Sequence, residues 1–323
     1  MNMQERFGFN PIIGEVGIEI EMEGRHLPFR GDEVYWVAHN DPSLRGAGVG
    51  TTCEYVIEGA IRRETVRPAL VSLETMLRDH GAILKPSQRA GIHVHINCLP
   101  NTFEQVMAFA MLYSIFERAM VQFCGPDRSG NLFCLRIADA EALIPALINC
   151  VKIKDFHPVC HDVYRYCSLN LGALAKHGSV EFRALRSQAD FVDLTCNWVD
   201  LILRIKDASA PYLHLPNLAA AISQKGPLQF AQSVFGPLLP LIATPQLEND
   251  IIETLRLLQP IIFTKAGVEK GKVGKAAKVR MEVEDPPQAF RPEFFDEPQP
   301  APAQWDVRPD GWVVPPAPPV RQR

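Results

Sequence analysis

GIHVHIN, residues 91–97, is the stretch on which the reading of this chain turns. His93, His95 and Asn97 take every second position, and Ile92, Val94 and Ile96 stand between them. A strand sends successive side chains to opposite faces, so the segment predicts a strand with one wholly apolar face and one face bearing two imidazoles and an amide. That second face is too polar for an ordinary core. It is suited to holding a metal ion or a phosphate.

Two other segments repeat the pattern. In GIEIEMEG (17–24), Glu19, Glu21 and Glu23 alternate with Ile18, Ile20 and Met22; in SVEFRALRS (179–187), Glu181 and Arg183 oppose Val180 and Phe182. Singly, each has an ordinary explanation, a solvated carboxylate face or core histidines with their hydrogen bonds satisfied. Together they differ from the Thr, Lys and Ser of a common exposed sheet. Carboxylates brought close repel one another and take up protons unless a cation sits between them. A hard divalent cation such as Mg²⁺ or Mn²⁺ accepts oxygen and some imidazole and also binds phosphate oxygens. An arginine on the same face completes a phosphate clamp, and metal, arginine and carboxylate are the equipment of phosphoryl transfer.

A fourth element fits beside these. HNDPSLRGAGVGTTCEYVIEG (39–59) reads as a turn at Asp41-Pro42-Ser43, a glycine-rich loop and a short strand, CEYVI, presenting Glu54. The chain has no GxxxxGK[ST] and no strand-linked GxGxxG, so neither nucleotide fingerprint is present.

Composition bounds the class. With 323 residues, 47% hydrophobic and 22% charged, the chain can bury a sizeable core, and a net charge of -4 argues against a general nucleic-acid binder. The longest apolar run, VMAFAMLYSIF (106–116), is followed by Glu117 and Arg118, and the N-terminus lacks a signal-peptide pattern, so neither a membrane span nor export is expected. Eight scattered cysteines without a CxxC pair read as reduced thiols of a cytoplasmic protein. Cys167 lies near the SVEFR motif, but nothing adjacent marks it as a nucleophile.

Helices with legible ends are expected over 62–80, stopping at Gly81, over 102–123 behind a Thr102/Gln105 capping box, and over 190–207 and 247–258. Composition changes near residue 264. KAGVEKGKVGKAAKVR (265–280) holds six basic residues, and residues 286–319 hold 11 of the 27 prolines. The expected division is a catalytic domain over 1–262 and, over 263–323, a basic linker with a Pro-rich, mostly disordered tail. The tail's phenylalanines, Trp305 and Trp312, and a PAPPVR polyproline pattern (316–321), are the features through which a protein partner would be engaged.

The order GxExE, DxSLR with a Glu-bearing strand after it, HVH, then N…[VI]EFR, over roughly residues 14–210, resembles the amidoligase family, whose members are similar in fold to glutamine synthetase and glutamate-cysteine ligase. The resemblance implies an α+β fold, a curved antiparallel sheet flanked by helices, with ATP and Mg²⁺ (or Mn²⁺) on its concave face. It also implies ATP-dependent joining of a carboxylate to an amine through an acyl phosphate, on amino-acid or peptide substrates. By the same resemblance Glu19, Glu21, Glu54, His93 and Glu181 are metal ligands, His93 also touching phosphate, and Arg183 neutralises phosphate. Arg45 of the DxSLR motif, His95, Asn97 and Asn170 are cofactor-binding candidates, and Arg186 a further catalytic candidate. Two other readings stay open: a metal-dependent hydrolase using HxH to activate water, and a non-catalytic scaffold acting through its tail.

Overall fold

A computed structural model describes residues 1–32, 34–40, 44, 51–140, 142–265, 306–307 and 313–314. One compact unit spans Met1–Glu269. Its sheet is antiparallel throughout, built from β1 (Val16–Arg25), β2 (Trp36–His39), β3 (Thr51–Ile57), β4 (Ile83–Lys85), β5 (Gly91–Asn97), β6 (Leu169–Asn170) and β7 (Ser179–Arg186). The order is β2-β3-β1-β5-β7-β6, with β4 paired to the end of β1. The three segments of alternating pattern are therefore three adjacent central strands, β1, β5 and β7.

The alternation explains why they assemble. Ile18, Ile20 and Met22, Ile92, Val94 and Ile96, and Val180, Phe182 and Leu185 are all buried, and the helices cover this face. The helices of the unit are α1 (Met3–Phe7), α2 (Val66–Asp79), α3 (Phe103–Phe123), α4 (Leu143–Ile153), α5 (Ala173–His177), α6 (Phe191–Ala208), α7 (Pro216–Lys225), α8 (Pro227–Phe235) and α9 (Leu247–Ile262). From α3, Phe109 and Tyr113 pack on Phe182 of β7 with ring centroids 5.5 and 4.8 Å apart. From β2, the Trp36 indole donates to Ala69 O of α2 at 2.7 Å.

The expected capping box stands at the start of α3: Thr102 accepts from Gln105 N, and the Gln105 side chain accepts from Thr102 N. This helix extends the 11-residue apolar run in both directions. By length and composition it is the one helix among the described residues that could cross a bilayer, but most of it is buried inside the fold. Glu117, the residue that ends the run in sequence, is itself a buried core side chain. The last helix, α9, runs past the expected end at 258, through Pro260, because Leu258, Ile261 and Ile262 continue its buried stripe.

A second unit spans Lys270–Arg323. Its described part is one antiparallel pair, β8 (Asp306–Val307) with β9 (Val313–Val314). The expected basic linker, the disordered tail and its docking aromatics otherwise lie outside the described residues, as do Arg45 and the glycine-rich loop beside it.

Candidate metal centre

Strand register collects the ionisable side chains on the face away from the helices. Glu19 of β1 lies opposite His93 of β5, and His95 lies opposite Glu181 of β7, which in turn faces Asn170 of β6. On the other flank Glu21 lies opposite Glu54 of β3. Cross-strand neighbours share a face and stand roughly 5 Å apart, so the period-2 pattern of each strand becomes a two-dimensional cluster.

His93 sits among three carboxylates. Its Nδ1 is 3.3 Å from Glu19 Oε2 and 3.5 Å from Glu181 Oε1, and its Nε2 is 3.8 Å from Glu21 Oε1. Next along the strand, His95 Nδ1 meets Ser179 Oγ at 2.9 Å, which leaves Nε2 turned toward Glu19 Oε1 at 3.3 Å. That contact is not aligned as a hydrogen bond, so a buried ring nitrogen is left without a hydrogen-bond partner. Arg183 donates to Glu181 Oε1, and the Asn170 amide donates to Glu181 Oε2 at 2.6 Å. Asn170 is fixed in its turn by accepting from Gly172 N.

Glu19 and Glu181 are both held toward the ionised form despite their burial. For Glu19, burial pushes the carboxyl up, but the contacts and charges of His93 and His95 outweigh it and hold it well below the usual range. For Glu181, burial again opposes ionisation, and His95, Arg183 and His93 overcome it. The reciprocal effect appears on His95: burial alone would lower its pKa, but Glu19 and Glu181 raise it. Repulsion between Glu19 and Glu181 is opposed by the His93 and His95 imidazoles and the Arg183 guanidinium beside them.

One ligand atom each from Glu19, His95 and Glu181 lies within 4.8 Å of the other two. Two carboxylates and an imidazole whose other nitrogen is held by a hydroxyl make a donor set that fits a hard divalent cation. His95 Nε2, whose one contact is the Glu19 carboxylate, is the nitrogen that such an ion would bind. Glu21, expected beside Glu19, instead accepts from Gly91 N at 2.8 Å and stands outside the trio, one cross-strand row along.

The remaining candidates are spread more widely. Asn97 closes the far end of β5: its side-chain amide donates to Ile12 O and Gly14 O, so it anchors the N-terminal segment, and its backbone carbonyl accepts from Lys206 Nζ. Arg186 is at the opposite end, bound to Asp127 at 2.7 Å and Gln188 at 2.9 Å. It lines a cleft of about 90 Å³ with Glu23, Lys85 and Gln188. Cys167 is no nucleophile in this setting, since burial pushes its thiol up to about 12.

Three further residues belong to the site. Ser179, which orients His95, shares the parity of Glu181 and Arg183, so the same period-2 reading contains it. Arg128 comes from the turn after α3 and carries no sequence signal. His177, at the end of α5, packs edge-on against His95 with ring centroids 5.5 Å apart.

Residues 62–205 match the family model described as "Putative amidoligase enzyme". The matched span holds His93, His95, Asn170, Glu181 and Arg183, whereas Glu19, Glu21 and Glu54 precede it and join the cluster through the register of β1 and β3. No curated protein sequence matches the chain significantly. The family that the chain's four motifs resemble is therefore the one whose model its central segment matches: the amidoligases.

Proposed function

We propose that the protein is an ATP-dependent carboxylate-amine ligase that activates an amino acid or peptide carboxylate as an acyl phosphate. The observation that carries this reading is the convergence of ligand atoms from Glu19, His95 and Glu181, with Arg183 on the same face. The amidoligase match supports a ligase chemistry for it.

Glu19, His95 and Glu181 would hold a Mg²⁺ or Mn²⁺ ion, with Glu21, Glu54 and His93 available to a second. Such ions neutralise phosphate charge. Arg183 supplies the group that strengthens as transfer proceeds, because charge spreads over the phosphoryl oxygens only then. The substrate carboxylate attacks the γ-phosphorus and the bond to the ADP oxygen breaks. The amine then attacks the acyl carbon and phosphate leaves, carrying one oxygen of the original carboxylate. The amine's surplus proton passes to solvent.

That oxygen provides the test. Amino acids and short peptides are screened as acids with a range of amines, and a pair that turns over with ATP is prepared with ¹⁸O in its carboxylate. The label is expected in inorganic phosphate. ATP consumed without amide formation and without label in phosphate would mean that water, not the carboxylate, attacks, and would make the protein a hydrolase; amide formed without label in phosphate would overturn the acyl phosphate.

A further inference from the structure

β7 is irregular where it passes the site. Ile92 pairs with Leu185 and Val94 with Phe182, so His93 on one strand faces both Arg183 and Ala184 on the other. This bulge breaks the ladder locally and leaves backbone groups to be satisfied by other means. Arg128 does so. Its Nε donates to Ala184 O at 2.8 Å and its Nη2 to Arg183 O at 2.9 Å, while Nη1 reaches Gln88 O at 3.4 Å. Both carbonyls of the bulge are thus held by one guanidinium. From the other side Arg183 N donates to Ser168 O at 2.9 Å.

The side chain doing this is 1% exposed, and among the described residues it forms no ion pair. A cation buried against carbonyls alone is costly to keep, and an apolar residue of similar volume would commonly serve packing as well. The guanidinium also lies beside Gly91, next to His93. A Cβ at Gly91 would come within 3.1 Å of His93 Nε2 and 3.5 Å of Arg128 Nη2, so only a glycine lets the strand pass between them without displacing one. Strand period makes the bulge consequential, because a one-residue slip would carry a side chain to the opposite face. With the bulge in place, Glu181 and Arg183 face the site before it and Arg186, paired with Gly91, is returned to the same face after it.

We propose that Arg128 is a positioning residue, which pins the bulge of β7 and thereby aims Arg183 at the phosphate site. The proposal rests on the ligase reading for the role of Arg183. Its test is a double-mutant cycle on the full chain with R128M, R183A and the double variant, read as affinity for Mn²⁺ alone and for ATP with Mn²⁺. Residues acting as one unit are non-additive. If Arg128 acts through Arg183, each single change weakens ATP binding by on the order of tenfold, and the double change costs no more than either. R128K should fall with R128M, because one ammonium cannot replace a fork meeting three carbonyls; it also serves in the cycle if R128M does not fold. Additive losses, or unaltered ATP binding in R128M, overturn the proposal and leave Arg128 a core residue. If the wild type binds Mn²⁺ but no ATP, the ligase reading fails, and the cycle is read on Mn²⁺, whose affinity Arg183 alters by pairing with Glu181. Coupling there upholds the positioning role and additivity ends it. Binding of neither ligand overturns both.

Discussion

The two faces of the sheet treat buried carboxyl groups in opposite ways. On the helix side, Glu117 of α3 accepts from Ser168 Oγ and from Ile137 N at 2.7 Å, yet burial pushes its carboxyl up to about 7. On the open side, Glu19 and Glu181 are also buried or nearly so, yet are held below the usual range, Glu19 by the two imidazoles and Glu181 by these and Arg183. Burial penalises the charge in both places, and what differs is the cations in contact: Arg136 acts on Glu117 only from a distance and is itself paired with Asp139, whereas His93 and His95 touch Glu19, and Arg183 and His93 touch Glu181. Two neutral donors do not compensate a buried carboxylate, whereas two histidines and an arginine do. A face that already holds its acids ionised is ready to exchange those cations for a metal ion.

The comparison is broken most severely by removing charge on the open side. E181Q deletes one member of a buried pair and leaves Arg183 uncompensated, which should destabilise the protein by about 3–5 kcal/mol. E19Q and H95A should each abolish Mn²⁺ binding, measured by calorimetry, since a hard cation needs its anionic oxygens and here its one imidazole. Sequence alone suggests that such a change relieves repulsion in the metal-free protein. Against that stands the loss of the contacts Glu19 makes with both His93 and His95, which leaves the two rings to Glu21 and Glu181. Wild-type metal affinity in both E19Q and H95A would reduce the cluster to an ordinary ion-pair network.

Glu117 sharpens the contrast from the other side. Its folded pKa is raised from 4.5 to about 7, so the folded protein binds this proton more tightly than the unfolded chain. The stability it contributes is complete below pH 4.5 and is lost as pH rises through 7, an effect of roughly 3 kcal/mol. Urea unfolding of wild type and E117Q across pH 4.5–8 should therefore show wild type losing ground to the variant with rising pH. Parallel curves would mean the helix-side carboxyl is ionised like those on the open side.

Smaller effects follow at the edges. S179A frees the Nδ1 end of His95 and should weaken Mn²⁺ binding by on the order of tenfold without loss of fold, as for other groups that orient a ligand. A chain ending near residue 264 should keep the wild-type melting temperature, since the compact unit is closed by α9. A large fall would show that the tail packs on the Met1–Glu269 unit.

How much of this was legible depended on periodicity. β1, β5 and β7 announced themselves because three apolar residues alternate with three polar ones, and the acids, imidazoles and Arg183 followed from the same count. Helices α2, α3, α6 and α9 were marked by apolar stripes, and α3 also by its capping box. β2, β4 and β6 are four residues or fewer, too short for alternation to register. α7 and α8 open on Pro216 and Pro227, which a first turn tolerates but which read in sequence as breaks. Within the site, the choice between His93 and His95 as a member of the trio was invisible, because register across three strands decides it. Arg128 was invisible too, being a single turn residue whose partners are backbone carbonyls of β7 and Gln88.

The central claim is that Glu19, His95 and Glu181 make one cation site. The direct measurement is anomalous diffraction from crystals of the full chain grown with Mn²⁺. The account predicts a peak within bonding distance of His95 Nε2 and of an oxygen from each of Glu19 and Glu181, with Arg183 drawn away from Glu181 Oε1. A Mn²⁺ peak elsewhere on the sheet, or none with His95 Nε2 still unligated, would contradict it.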